Sequence, residues 1–173
     1  MKRHVALVGF MASGKSTIGR KLARRLGAPF FDTDALIVRE HGPIAAIFAD
    51  EGEAAFRRYE RAAIGEALES AQAGIVALGG GAMTEPENRN LLKDRAYRVF
   101  IKVPPEQILA RVRRSREVRP MLGASPTLAR IKELYAKRLP DYASSDRVIE
   151  AERRSDRDVI DEIVEWLAQE RAL

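Results

Sequence analysis

A phosphate-binding loop is the feature that most constrains the fold of this chain. Residues 9–16 read GFMASGKS and match the pattern G-x-x-x-x-G-K-S, with a short apolar strand predicted at 4–9 and a helix at 16–26. The glycines let main-chain N–H groups face phosphate oxygens, while Lys15 adds a positive charge and the Ser16 hydroxyl is a Mg²⁺ ligand. The sequence therefore predicts a site for a nucleoside triphosphate with Mg²⁺.

Short apolar strands alternate with helices along the rest of the chain. Further strands are predicted at 29–32, 75–78, 97–103 and 147–150, and helices at 35–40, 53–70, 106–114, 126–138 and 155–167, with a short helix from Pro86. Pro140 is expected to close the helix at 126–138. This alternation predicts an α/β fold, one domain over 1–173, with a five-stranded parallel sheet and helices on both faces.

Composition narrows the classes of protein and partner. Lys and Arg total 30 against 25 acidic residues, a net charge of +5, which indicates either anionic partners (phosphates, small acids or nucleic acid) or a solvated surface rich in arginine. The chain has no cysteine, which excludes disulfides, a thiol nucleophile and cysteine-bound zinc, and fits the cytoplasm. The apolar run at 5–12 is far shorter than the ~20 residues of a membrane span and lacks a convincing signal cleavage site, so we expect no membrane partner.

Two motifs stand at the ends of predicted strands. Asp32 and Asp34 lie two residues apart and can take different roles, one holding hydrated Mg²⁺ and the other facing an acceptor hydroxyl. Alternatively, one or both aspartates cap the following helix. Residues 79–81 are three glycines, which either expose backbone N–H groups to a small substrate or form a flexible turn.

Other features separate the nucleotide-binding classes. No Asn-Lys-x-Asp element of a GTPase is present, and the strand at 75–78 does not end in the acid of a motor ATPase. Five arginines form a dense cluster that suits a mobile lid at 111–125 or a nucleic-acid surface: Arg111, Arg113, Arg114, Arg116 and Arg119. Aromatic residues are 6% of the chain and none lies among these arginines, so no nucleic-acid partner is expected.

The chain resembles the shikimate kinases, P-loop small-molecule kinases related to the nucleoside-monophosphate kinases. The resemblance covers residues 5–166 and is carried by residues 9–20, Phe31-Asp32-Thr33-Asp34, Ile47-Phe48, Gly52-Glu53, Phe56-Arg57, Glu60, the glycines at 79–81, residues 119–122 and residues 138–142. It implies a three-layer P-loop kinase fold with a mobile lid and a shikimate-binding helical region at 34–62. It further implies ATP-dependent phosphorylation of the 3-hydroxyl of shikimate to shikimate 3-phosphate and ADP, in aromatic amino acid (chorismate) biosynthesis.

The resemblance also assigns site residues. It implies that catalysis uses Lys15, Asp34 and Arg119, and that Mg²⁺ is held by Ser16 directly and Asp32 through water. ATP is expected to bind Met11, Ala12, Ser13, Gly14, Lys15, Ser16, Thr17 and Arg119, with Arg153 or Arg154 lining the adenine pocket. Shikimate is expected to bind Asp34, Arg57, Gly79, Gly80, Gly81 and Arg138, the two arginines clamping its carboxylate.

Two departures from the family pattern leave questions open. The turn at 42–44 is one residue shorter than the family's usual spacing, so Arg57 and Arg58 compete for the carboxylate, and the Phe-Arg motif favours Arg57. The arginine cluster does not show which of Arg111, Arg113 and Arg114 contacts nucleotide. Two alternatives remain: a kinase of another small hydroxy acid or a sugar such as gluconate, and a nucleotide-dependent nucleic-acid-binding protein. We expect a monomer.

Overall fold

The strands form one parallel sheet, as predicted. The structure is a computed structural model that describes residues 1–115, 120–123, 125–170 and 172–173. Its strands are β1 (His4–Val8), β2 (Phe30–Asp32), β3 (Ile75–Ala77), β4 (Ala96–Lys102) and β5 (Arg147–Glu150). They lie in the order β2-β3-β1-β4-β5, and every neighbouring pair is parallel.

Helices pack on both faces of this sheet, which confirms the predicted α/β class. They are α1 (Lys15–Leu26), α2 (Thr33–His41), α3 (Ile44–Asp50), α4 (Glu53–Leu68), α5 (Pro86–Lys93), α6 (Pro105–Arg114), α7 (Leu128–Ala143) and α8 (Asp156–Gln169). Short 3₁₀ turns occupy Ala82–Thr84 and Pro120–Leu122. In the described part of the chain α1 packs against α8, α6 against α7, and α2 and α3 against α4.

The order of the strands decides where the motifs meet. All residues of β1 and β3 are buried, as expected for inner strands of a parallel sheet. Since β2, β3 and β1 are neighbours, their carboxyl ends lie at one edge of the sheet. The aspartate pair, the triple glycine and the phosphate loop follow these three strand ends, so the fold gathers all three motifs at the edge where open α/β sheets bind ligands.

Helix periodicity identified the inward faces correctly. On α4, the predicted inward residues Phe56, Ala63, Ala67 and Leu68 are all buried. Ser155 caps α8 and forms a reciprocal capping box with Asp158, again as predicted.

The structure differs from the sequence-based expectations at two helices. Residues 44–50 form a short helix, α3, that the sequence did not predict. The expectation that Pro140 closes the preceding helix was wrong, because α7 continues through Pro140 to Ala143. A proline inside a helix costs about 3 kcal/mol or more. The extra turn offsets part of this cost because it buries Tyr142, which is 1% exposed, one turn after Arg138.

A helix that crosses a bilayer needs about 20 predominantly apolar residues. Across the described residues, no helix is long and apolar enough to cross a membrane.

Candidate active site

The phosphate loop wraps around its own lysine. The Nζ of Lys15 donates to the carbonyls of Gly9 and Phe10, at 2.8 and 2.9 Å. Gly14 adopts φ +100° immediately before α1, a conformation that favours glycine. The loop borders a cavity of about 420 Å³, the phosphate-loop cavity, lined by Met11, Ala12, Gly14, Lys15, Ser16, Thr17, Asp32, Asp34, Leu78, Gly80, Arg111 and Asp156.

One arginine of the cluster reaches the phosphate loop. The Nη1 of Arg111, near the end of α6, donates to the carbonyls of Ala12 and Ser13, at 3.1 and 2.9 Å. Arg113 and Arg114 are exposed and do not line the cavity. Of the three arginines that the sequence left open, Arg111 is therefore the one that reaches the phosphate loop, and its contact with nucleotide stays a prediction. Arg116, Arg119 and the lid residues 117, 118 and 124 lie outside the described residues.

The aspartate pair and Ser16 provide oxygen atoms beside the phosphate loop. Asp32 caps α2, its Oδ1 accepting from the N–H of Ala35 at 3.2 Å, so the capping role weighed from the sequence holds for this residue. Asp32, Asp34 and Ser16 also line the phosphate-loop cavity. Among the described residues no group of three or more His, Cys, Asp or Glu is placed to hold a metal ion alone. A hydroxyl and a carboxylate beside bound phosphates nevertheless fit Mg²⁺, which takes few protein ligands and keeps several waters.

A second, smaller cavity of about 100 Å³ adjoins the first. We call it the arginine cavity, and it is lined by Met11, Asp34, Ile44, Phe48, Phe56, Arg57, Glu60, Gly80, Gly81, Pro120, Met121 and Arg138. Met11, Asp34 and Gly80 line both cavities. A group bound in one cavity therefore meets a group bound in the other at these three residues.

The two arginines enter the arginine cavity from different helices. Arg57 lies on α4, and its Nη2 donates to Glu53 Oε1 at 2.9 Å. Arg138 lies on α7, where its Nη1 donates to the carbonyl of Gly80 at 3.1 Å and its guanidinium lies over the ring of Phe10. Arg58 is exposed and does not line the cavity. The shortened turn at 42–44 thus leaves Arg57, as the Phe-Arg motif favoured, facing this cavity.

Glu60 is a fully buried acid within the arginine cavity. Its Oε2 accepts from Arg57 Nη1 at 2.8 Å. The pKa of Glu60 is raised to about 7, mainly by burial; Arg57 opposes the rise, and the negative charges of Asp34 and Glu85 contribute to it. For Arg57, burial opposes the charge, but the ion pairs with Glu60 and Glu53 outweigh this and raise its pKa. Arg57 therefore stays charged and is fixed on both sides.

The three glycines fit between these side chains because they have none of their own. A Cβ on Gly79 would lie 2.6 Å from Glu60 Oε1 and 2.8 Å from Asp34 Oδ1. On Gly80 it would lie 2.9 Å from the backbone nitrogen of Met11, and on Gly81 2.7 Å from both Nη atoms of Arg57. The N–H of Gly79 also donates to Thr33 Oγ1 at 3.0 Å, which ties β3 to the aspartate pair. This segment is closely packed rather than a loose turn.

The residues expected at the adenine pocket lie apart from the phosphate-loop cavity. Arg154 donates to the carbonyls of Glu150 and Asp158 and to Glu162, and Arg153 is 87% exposed. The residue of this region that lines the cavity is Asp156, which accepts from Lys21 at 2.7 Å.

Sequence reasoning named Glu60 and Tyr142 in the family pattern without giving either a role. The i, i+3 spacing of Arg57 and Glu60 on a helix is the signal that could have paired them. Phe48, Phe56 and Met121 belong to the same family pattern, and Ile44 to the shortened turn, but the sequence did not identify them as the apolar wall of the arginine cavity.

Comparison with known proteins identifies the family. A shikimate kinase family model matches residues 11–168. A shikimate kinase of Symbiobacterium thermophilum is 42% identical over 174 residues, covering 97% of this chain and 97% of the relative. A shikimate kinase of Geobacter sulfurreducens is 41% identical over 168 residues, covering 96% and 92%.

Solved structures agree with this result. A shikimate kinase from Acinetobacter baumannii in complex with shikimate superposes with a TM-score of 0.91 at 35% identity, covering 97% of this chain and 94% of that one. A gluconokinase from Sinorhizobium meliloti has a TM-score of 0.68 at 21% identity, covering 97% and 93%, and shares the fold alone. The chain therefore belongs to the shikimate kinase family.

Proposed function

We propose that this enzyme transfers the γ-phosphoryl group of ATP to the 3-hydroxyl of shikimate, giving shikimate 3-phosphate and ADP in aromatic amino acid biosynthesis. The observation that carries the proposal is the junction of the two cavities at Met11, Asp34 and Gly80. One cavity has the phosphate loop, and the other has two arginines, the buried Glu60 and the half-buried Asp34. Membership in the shikimate kinase family supports this substrate, as does the relative solved with shikimate bound.

The phosphate-loop cavity holds the nucleotide in this proposal. Residues 11–17 surround the β- and γ-phosphates with N–H groups and the N-terminus of α1, and Lys15 supplies a fixed positive charge beside them. Ser16 would ligate Mg²⁺ directly and Asp32 through water, since both line the cavity. When bound, Mg²⁺ neutralises charge on the transferring phosphoryl group. Arg153 remains the candidate for the adenine, because the guanidinium of Arg154 is held by its own neighbours.

The arginine cavity binds shikimate. Arg57 and Arg138 approach from two sides of the triple glycine and would clamp the carboxylate with planar, charge-assisted hydrogen bonds. The ring would lie against the apolar side chains of Phe48, Phe56 and Met121. The cavity of about 100 Å³ suits a compact ring.

Asp34 stands where the two cavities meet and would act on the acceptor hydroxyl. In this position it orients the 3-hydroxyl toward the γ-phosphorus and takes its proton as the new P–O bond forms. The bond between the γ-phosphorus and the bridging oxygen then breaks, and ADP leaves. Lys15 and Arg119 stabilise the charge on the phosphoryl oxygens, and closure of the lid at 111–125 keeps water from replacing the acceptor.

We place the enzyme in the cytoplasm, which the absence of cysteine in the sequence supports, and we expect a monomer of one domain over 1–173. Nucleic acid is not a partner in this proposal, since no aromatic residue interleaves the arginine cluster.

The test measures ADP release from ATP and Mg²⁺ with shikimate, with gluconate, with a nucleoside monophosphate and with no acceptor. We expect strong stimulation by shikimate alone. Stimulation by gluconate instead would overturn the substrate and favour the alternative kinase. Nucleotide binding without stimulation by any acceptor would leave the phosphate loop correct and the proposed reaction wrong.

A further inference from the structure

The carbonyl oxygen of Gly80 is held by two side chains of α7. Arg138 Nη1 donates to it at 3.1 Å, and the hydroxyl of Tyr142 donates to it from one turn further along the helix. Tyr142 is 1% exposed and does not line either cavity. We propose that Tyr142 is a positioning residue of the substrate site. It fixes the Gly80–Gly81 peptide so that the N–H of Gly81 and the guanidinium of Arg138 face one anionic group. This inference rests on the proposed function.

The geometry of the peptide bond explains what Tyr142 controls. In a trans peptide the carbonyl and the following N–H point in opposite directions. With the Gly80 carbonyl held toward α7, the N–H of Gly81 points away from α7, and within the described residues it has no protein acceptor. Gly81 packs directly against Arg57, whose two Nη atoms lie 2.7 Å from the place of a Cβ. The peptide thus lies between the two arginines that would clamp the carboxylate.

Glycine makes this control necessary. Gly80 and Gly81 have no side chains to restrict rotation, so their shared peptide can turn over at low conformational cost. Two hydrogen bonds to one carbonyl oppose that rotation. Arg138 alone would have to divide its donors between Gly80 and the substrate, whereas the hydroxyl of Tyr142 lies outside both cavities and has no substrate to bind. Tyr142 therefore keeps the carbonyl in place when Arg138 turns to the substrate.

The environment of Tyr142 keeps its hydroxyl a donor. The ring packs against Phe100 and Tyr135, at centroid distances of 5.1 and 6.4 Å. Burial raises the pKa of Tyr142 to about 12 although the nearby Arg138 lowers it. The phenol accordingly keeps its proton at any pH at which the enzyme is assayed.

The test replaces only the hydroxyl group. Tyr142→Phe keeps the ring and its packing, and Tyr135→Phe is the matched control, since Tyr135 is a buried tyrosine of the same helix whose hydroxyl has no hydrogen bond in the described residues. We expect Tyr142→Phe to raise the KM for shikimate about tenfold, the size expected for one buried hydrogen bond. The KM for ATP should stay close to the wild-type value, the melting temperature should fall by no more than a few degrees, and Tyr135→Phe should change none of these.

The other possible results of these assays distinguish a positioning role of Tyr142 from a structural role and from an error in the proposed function. A shikimate KM within about twofold of wild type in Tyr142→Phe would overturn the inference. If the KM for shikimate and the KM for ATP rise together while the melting temperature falls, Tyr142 has a structural role only, because Gly80 also packs against Met11 of the phosphate loop. Wild-type protein that shikimate does not stimulate would instead contradict the proposed function, whatever the variant does.

A second measurement asks whether the effect passes through the carboxylate. The methyl ester of shikimate keeps the ring and the 3-hydroxyl but has no negative charge for Arg138. We expect Tyr142→Phe and wild type to differ in kcat/KM for shikimate and to agree, within about twofold, for the ester. An equal loss with both substrates would overturn the proposed route through Arg138 and the Gly80–Gly81 peptide.

Discussion

Arg57 and Glu60 form an ion pair at 2.8 Å across one turn of α4, with the carboxyl group of Glu60 fully buried at the wall of the arginine cavity. Arg57 also contacts Glu53 at 2.9 Å, so its guanidinium is fixed before any substrate arrives. A buried pair of this kind contributes little net stability, since removing its charges from water costs about as much as their attraction returns. Its main effect is to set the direction of Arg57 into the cavity.

Glu60 makes the stability of the protein depend on pH. Its pKa is raised to about 7 in the folded state, mainly by burial, so the folded protein binds this proton more tightly than the unfolded chain does. Between about pH 4.5 and pH 7 the folded state therefore holds more protons, and the contribution of Glu60 to the free energy of unfolding falls as pH rises. Glutamine at position 60 does not titrate. We therefore expect the fall in the free energy of unfolding with rising pH to be smaller in Glu60→Gln, by up to about 3 kcal/mol.

The measurement is urea unfolding of wild type and Glu60→Gln at about pH 5 and about pH 8. The difference between the two pH values should be smaller in Glu60→Gln. Glu69→Gln, which changes an exposed acid just after α4, should behave as wild type. A pH dependence of the same size in wild type and Glu60→Gln would show that Glu60 titrates normally.

Much of the site could be predicted because strand ends are recognisable in the sequence. The phosphate loop, the aspartate pair and the triple glycine each follow a short apolar run, and a parallel sheet brings such ends to one edge. The partners of these motifs could not be predicted in the same way. Nothing in the sequence distinguishes Glu60 from an exposed glutamate, because its burial depends on how α4 packs against the glycines that follow β3.

The end of α7 likewise could not be predicted from the local sequence. Proline is a strong local signal for the end of a helix, and Pro140 led to a boundary that was too early. The burial of Tyr142 against Phe100 of β4 is a tertiary contact, invisible to local propensity. The short helix α3 was missed because residues 44–50 are too few to show a helical repeat.

Arg57 and Arg58 should differ sharply when each is replaced by alanine. Arg57→Ala removes a donor from the arginine cavity and leaves Glu60 buried without its cation, so we expect the KM for shikimate to rise about 30-fold or more. Arg58→Ala changes an exposed side chain and should leave KM within about twofold. Steady-state kinetics at fixed, saturating ATP measures both. The reverse order of effects would mean that the shortened turn at 42–44 shifts the substrate to Arg58.

Lys15 should be needed for turnover rather than for folding. Its Nζ is held by the carbonyls of Gly9 and Phe10 beside the proposed γ-phosphate position. Lys15→Met removes that charge, and we expect kcat to fall about 100- to 1,000-fold. Arg24→Met removes a positive charge from an exposed position on the same helix and should leave kcat unchanged. A similar loss in both variants would indicate a general electrostatic effect of α1.

Gly79→Ala tests whether the close packing around the triple glycine matters for the site. The new methyl group would lie 2.6 Å from Glu60 Oε1 and 2.8 Å from Asp34 Oδ1, so both carboxyl groups must move. That movement disturbs the proposed general base and the ion pair that orients Arg57. Because small displacements of reacting groups are costly, we expect kcat/KM for shikimate to fall about 100-fold or more.

The matched control is Gly65→Ala, in the last turn of α4, where a Cβ meets no atom within 4 Å apart from the neighbouring backbone of its own helix. Alanine is the better helix former, so this variant should gain about 0.5–1 kcal/mol in the free energy of unfolding and keep wild-type activity. Activity and urea unfolding are measured on both variants. Gly79→Ala with normal kcat/KM would show that Asp34 and Glu60 tolerate displacement, which contradicts the proposal that their positions control catalysis and binding. Since Gly65→Ala adds the same methyl group at an open position, a loss confined to Gly79→Ala traces to the contacts at 79 and not to the change of residue type.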